Sequence, residues 1–113
     1  MPELWTLDLT MILVLETDGS LLHLFSSTAE AQSHLEAIDI ENREYEFCDD
    51  TGQRFVAEVT APVTALRAGS FRLRSDGLPD KAVVVSFLSR ARSLERGCDG
   101  VKTLDDLRKK NEV

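Results

Sequence analysis

The chain has 113 residues, of which 42% are hydrophobic and 29% charged. That is enough for one core but not two, too apolar for a disordered chain, and without the run of about 20 apolar residues that a bilayer-spanning helix requires. The net charge of −7 is unevenly placed: residues 1–61 hold 13 acids and 2 bases, residues 62–113 hold 7 acids and 11 bases. The first half therefore repels phosphate, and nucleic acid is not an expected partner. One domain spanning 1–113 is expected. The start, Met1-Pro2-Glu3-Leu4-Trp5, lacks a basic leader region and a small-residue cleavage site. Cys48 and Cys98 are too few for a disulfide framework. Both features point to a cytoplasmic protein with reduced thiols.

From Trp5 the odd positions read Trp, Leu, Leu, Met, Leu, Leu through Leu15, and the even ones Thr6, Asp8, Thr10, Ile12, Val14, Glu16. This is strand periodicity. Ile12 and Val14 make the second half apolar on both faces, which predicts a covered central strand. Asp18-Gly19 then supplies a tight turn, and Leu21 to Phe25 returns as the partner strand. Ser27 with Glu30 has capping-box form, and a helix follows from about Thr28 to Ala37, with Ala31, Leu35 and Ile38 on its packed face.

Beyond an acidic connector, Tyr45 and Phe47 alternate with Glu44, Glu46 and Cys48 in a half-exposed strand. Asp50 to Gln53 turns the chain, and Arg54 to Thr60 returns with Phe55, Ala57 and Val59 on one side. Pro62 ends that hairpin. Phe71-Arg72-Leu73-Arg74 suggests a fifth strand with a basic outer face. Pro79 and Asp80 suit a helix start, and Val83, Val84, Phe87, Leu88, Ala91 and Leu94 form a stripe up to Gly97, although the Val83-Val84-Val85 run also suits a strand. Thr103 with Asp106 caps a last short helix anchored by Leu104 and Leu107. The resulting fold class is α+β, a mostly antiparallel sheet of four to five strands with two to three helices packed on one face.

The chain has no glycine-rich phosphate loop, no His-Glu-x-x-His, no Cys-x-x-Cys and no Gly-x-Ser-x-Gly. Its acid pairs lack the ligand spacing of a calcium loop, so no metal and no cofactor is expected. Carboxylates beside Cys48 disfavour its thiolate, which argues against a nucleophile. Between Ser27 and Asp50, eight acids face one base, Arg43, so this stretch alone carries as much negative charge as the whole chain nets. Such charge is often solvated surface, but here it is concentrated, and Glu44 and Glu46 share one strand face, where like charges repel unless something compensates. A cationic partner gains both encounter rate and selectivity from such a face. The candidate partner-binding residues are Glu36, Asp39, Glu41, Glu44, Glu46, Asp49 and Asp50, with Tyr45 as an aromatic anchor.

The segments Ser27-Thr28-Ala29-Glu30-Ala31, Leu35-Glu36-Ala37-Ile38-Asp39-Ile40-Glu41-Asn42, Glu44-Tyr45-Glu46-Phe47 and Asp50-Thr51-Gly52-Gln53-Arg54 resemble small bacterial immunity proteins, which neutralise polymorphic or contact-delivered toxins. The resemblance implies a noncatalytic inhibitor that binds a cognate toxin's C-terminal catalytic domain in the cytosol and blocks its active site or its movement; the acidic face adds the expectation that this partner has a basic surface. The alternative from the residues is a small enzyme or ligand-binding domain using His23 or His34 with nearby carboxylates. A nucleic-acid module built on Arg67, Arg72, Arg74, Arg90, Arg92 and Arg96 is disfavoured by the net charge.

Overall fold

The computed structural model describes residues 11–35, 37, 40, 44–66, 69–97 and 101–111. These form six strands and three helices, an α+β arrangement: β1 (Ile12–Glu16), β2 (Leu21–Phe25), α1 (Thr28–His34), β3 (Tyr45–Asp49), β4 (Arg54–Ala61), β5 (Ser70–Asp76), α2 (Lys81–Arg90), β6 (Ser93–Arg96) and α3 (Leu104–Asn111). The strands make one mixed sheet in the order β5-β4-β3-β1-β2-β6. All neighbouring pairs are antiparallel except β2 and β6, which run parallel. The part of the first expected strand before Met11 lies outside the described residues.

β1 occupies the centre, as its two-sided apolar pattern requires. Ile12 and Val14 are at most 3% exposed on the front face, Leu13 and Leu15 at most 2% on the back. Buried side chains on both faces need covers on both, and this is why the expectation of helices on one face fails. α1 supplies Ala31 to a front core containing Phe25, Phe47 and Phe71. α2 and α3 supply Val84, Phe87, Leu88 and Leu107 to a back core with Leu22, Leu24 and Cys48. α1 touches both β2 and β5, and Leu73 N–H of β5 donates to Gln32 Oε1 at 2.8 Å, so the sheet curls around its front core.

The sixth strand is the second departure. Residues 91–97 were expected to extend the helix, but α2 stops at Arg90, with Ala91 in extended backbone and Arg92 N–H donating to Ser20 C=O at 2.8 Å. The chain then lays Leu94 beside Leu22 along the free edge of β2. The ladder groups on that edge are satisfied by this pairing, and Leu94 packs against the back core from it. The Val83-Val84-Val85 run is helical: Val84 is buried and Val85 points outward.

Local signals act close to where the sequence places them. Ser27 Oγ accepts the Glu30 N–H at 3.0 Å, while the Glu30 carboxylate reaches back to Ser26, to its N–H at 3.2 Å and its hydroxyl at 3.0 Å. Those two bonds, with help from Arg96, hold the Glu30 carboxyl below its ordinary range. Thr103 and Asp106 form the reciprocal capping box at the start of α3. In the β1–β2 turn the positive φ values fall on Gly19 and Ser20.

Candidate protein-binding cleft

β3 and β4 pair only at Phe47↔Phe55 and Cys48↔Arg54, although β4 runs on to Ala61 with β5 along its other edge. The two strands part beyond Phe55, and a cleft of about 610 Å³ opens between them. Tyr45, Phe47, Phe55 and Ala57 line it from the front, with Val59 further along β4, and Glu46, Arg54 and Val56 border it from the back. Val56 and Val59 remain 37% and 40% exposed. An apolar centre with a charged rim is the composition of a protein-binding patch.

At the rim, Arg90 of α2 grips Glu46, and Arg54 Nη1 lies 3.9 Å from the same carboxylate. Arg90's hydrogen bonds come first among the influences that hold the Glu46 carboxyl below its usual range, against the cost of partial burial. The like-charge problem on β3 is thus met within the molecule. Further along β4, Glu58 Oε1 sits 3.5 Å from Arg72 Nε and 3.1 Å from Arg74 Nε; it receives no hydrogen bond, so that attraction is Coulombic. Arginines from the second half of the sequence are interleaved with glutamates from the first.

The expected acidic face is correspondingly reduced. Asp49 is 8% exposed, and its Oδ1 accepts from Thr51 N–H, Thr51 hydroxyl and Gln53 N–H, so its carboxylate organises the β3–β4 turn and leaves no surface for a partner. Glu46 is ion-paired. Glu44 and Asp50 are half-buried at opposite ends of β3, with the Glu44 carbonyl accepting from Thr17 and the Asp50 carbonyl from Lys81 Nζ at 3.0 Å. Tyr45 lines the cleft from the front. Glu36, Asp39 and Glu41 lie outside the described residues. Phe55, Val56 and Val59 were not among the candidate contacts; their alternation was legible, but the point at which β3 stops covering them was not.

Of the two histidines, His34 is exposed and stacks on Phe25 at 5.7 Å between ring centroids. His23 Nε2 contacts the Glu16 carboxylate, with the Tyr45 ring edge-on at 6.5 Å. Cys48 is fully buried, and burial with the neighbouring Asp49 charge pushes its thiol up to about 12; it is inert as a nucleophile. Among the described residues no group of three or more His, Cys, Asp or Glu is placed to hold a metal ion, and no helix is long and apolar enough to cross a membrane.

Compared with known proteins, the chain matches no family model, no curated sequence and no solved structure.

Proposed function

We propose that this protein is a noncatalytic inhibitor of the immunity kind, which neutralises a toxin domain by binding it at the β3–β4 cleft. The observation that carries the reading is the cleft itself: an apolar lining from Tyr45, Phe55, Ala57 and Val59 left open between two strands of one sheet, with Glu46 and Arg54 at its rim. Exposed apolar surface of this kind, bounded by charge, gains free energy when a partner covers it. Electrostatic selection falls to the rim and to the half-buried Asp50 at the far end of β3, which suit a partner bearing basic groups.

The test is affinity capture from the native cytosol at low and raised salt, followed by titration of any captured chain's activity. The expected result is one stoichiometric partner whose activity is lost on binding. Val59→Glu places a charge in the cleft at an exposed position, and is expected to leave folding intact while weakening that partner by about tenfold or more, or about 1.4 kcal/mol. A partner that binds Val59→Glu and the native chain equally would remove the cleft from the interface.

A second reading rests on the His23–Glu16 contact. A carboxylate on one ring nitrogen orients the other, as in a general base. His23→Gln distinguishes the two readings: it should leave inhibition of a captured partner unchanged, whereas an enzyme or ligand-binding domain built on this pair would lose its activity.

A further inference from the structure

The chain contains three Asp-Gly steps, Asp18-Gly19, Asp76-Gly77 and Asp99-Gly100, of which the first two lie among the described residues. Those two are alike in most respects. Both aspartates and both glycines are exposed, the glycines have φ of +94° and +76°, and a Cβ added to either glycine would meet nothing within 4 Å. They differ in how the peptide joining them is held. The Asp76 backbone is paired with Arg54 in the β4–β5 ladder, and Gln53 Nε2 donates to the Asp76 carbonyl at 3.3 Å and to the Gly77 carbonyl at 3.0 Å.

The Asp18 turn is anchored only at its ends. Thr17 donates twice to the Glu44 carbonyl, from N–H at 2.9 Å and from its hydroxyl at 3.2 Å, and the Ser20 carbonyl accepts from Arg92 N–H at 2.8 Å. Between those anchors neither Asp18 nor Gly19 hydrogen-bonds or ion-pairs with any described residue.

This contrast bears on one reaction of aspartate. The glycine amide nitrogen attacks the side-chain carboxyl carbon; an N–Cγ bond forms, the Cγ–OH bond breaks, and the hydroxyl leaves with the amide proton as water, closing a five-membered imide. Water then adds back. Addition at Cγ restores aspartate, whereas addition at the main-chain carbonyl carbon breaks its bond to nitrogen, so that the chain continues through Cβ and Cγ as isoaspartate with a new α-carboxylate. The water lost is the water regained, and nothing is oxidised or reduced. Ring closure must turn the peptide about the aspartate Cα–C bond and swing its carbonyl. Glycine puts no side chain in the way at either step, but the Asp76 carbonyl is tied to Gln53 and the Asp18 carbonyl is not.

We propose that Asp18 is a modification site, at which the folded protein forms isoaspartate while Asp76 is spared. The product inserts one methylene into the backbone between two fixed anchors. Thr17 is held by two bonds and the Ser20 carbonyl by one from Arg92, so the strain is released at the Ser20–Arg92 bond, where the chain enters β6.

The test incubates the full chain at physiological temperature and neutral pH, folded and in urea. Peptide mapping with fragmentation that separates isoaspartate from aspartate reads each site, and methyl transfer from S-adenosylmethionine by an isoaspartyl carboxyl methyltransferase labels the same peptides. In the folded chain isoaspartate is expected to accumulate at Asp18 faster than at Asp76 by about tenfold or more, since Asp76 reacts only when its ladder opens. In urea the two rates converge. In the isoaspartyl fraction, resolved by chromatography, amide exchange at Arg92 is expected to quicken by about tenfold. Similar rates at the two sites in the folded chain, or isoaspartate at Asp18 only after unfolding, would overturn the site; unchanged exchange at Arg92 would overturn its link to β6.

Discussion

Arg90 closes on Glu46 with both terminal nitrogens, Nη1 to Oε2 at 2.6 Å and Nη2 to Oε1 at 3.1 Å, and so ties the last turn of α2 to β3 across 44 positions of sequence. The fork geometry makes this more than a chance surface contact, but the side chains are 42% and 31% exposed, so water screens much of the attraction.

Arg90→Ala and Glu46→Gln are each expected to destabilise the fold by about 0.5–1 kcal/mol at neutral pH, with a double-mutant cycle showing most of that energy shared. Because the Glu46 carboxyl is held below its ordinary range in the folded state, its contribution is complete above the unfolded carboxyl's range and is lost as pH falls through the folded-state value. Urea unfolding should therefore separate Glu46→Gln from the native chain at neutral pH and bring the two together in acid.

Asp49 contributes through hydrogen bonds to one oxygen. Oδ1 accepts at 2.9 Å from Thr51 N–H, 2.6 Å from the Thr51 hydroxyl and 3.0 Å from Gln53 N–H. Asp49→Ala is expected to cost about 2–3 kcal/mol, and Asp49→Asn, which keeps an acceptor there, about 1 kcal/mol. Denaturant midpoints measure both. If Asp49→Ala instead weakened partner binding at unchanged stability, its role would be contact and not turn geometry.

Gly52 and Gly19 separate two costs of adding a methyl group. Both have positive φ, +91° and +94°. A Cβ on Gly52 would lie 2.0 Å from the Asp80 carbonyl oxygen, whereas one on Gly19 would meet nothing within 4 Å. Gly19→Ala is expected to cost about 1 kcal/mol for backbone strain alone. Gly52→Ala is expected to exceed about 4 kcal/mol, since the Gly52 turn and the start of α2 must move apart. Thermal unfolding of the two variants side by side tests the contrast.

The legible parts of this fold are those decided within a few residues. The two-faced pattern of β1, the turn at Gly19, and the caps Ser27, Asp80 and Thr103 all depend on near neighbours. Ser93 to Arg96 have one apolar side chain and no alternation to read; their strand character comes from the open edge of β2, reached by a chain that has first crossed the back of the sheet. The candidate site divides in the same way. The run of carboxylates is plain in the sequence, but Arg90 and Arg54, which neutralise Glu46, are set against it only by folding. The buried role of Asp49 was missed because a turn-stabilising carboxylate and a surface one look alike in sequence.

The parallel pairing of β2 with β6 also bears on how the chain is completed during synthesis. β2 emerges early, yet the strand that seals its outer edge arrives about 70 residues later. Until then the nascent sheet offers Leu21 and Leu22 backbone groups to any extended neighbour. A fragment ending at Arg92 is accordingly expected to self-associate more strongly than the full chain on size exclusion. In the cell, the interval before Ser93 to Arg96 leave the ribosome is when this protein most needs protection from other nascent chains.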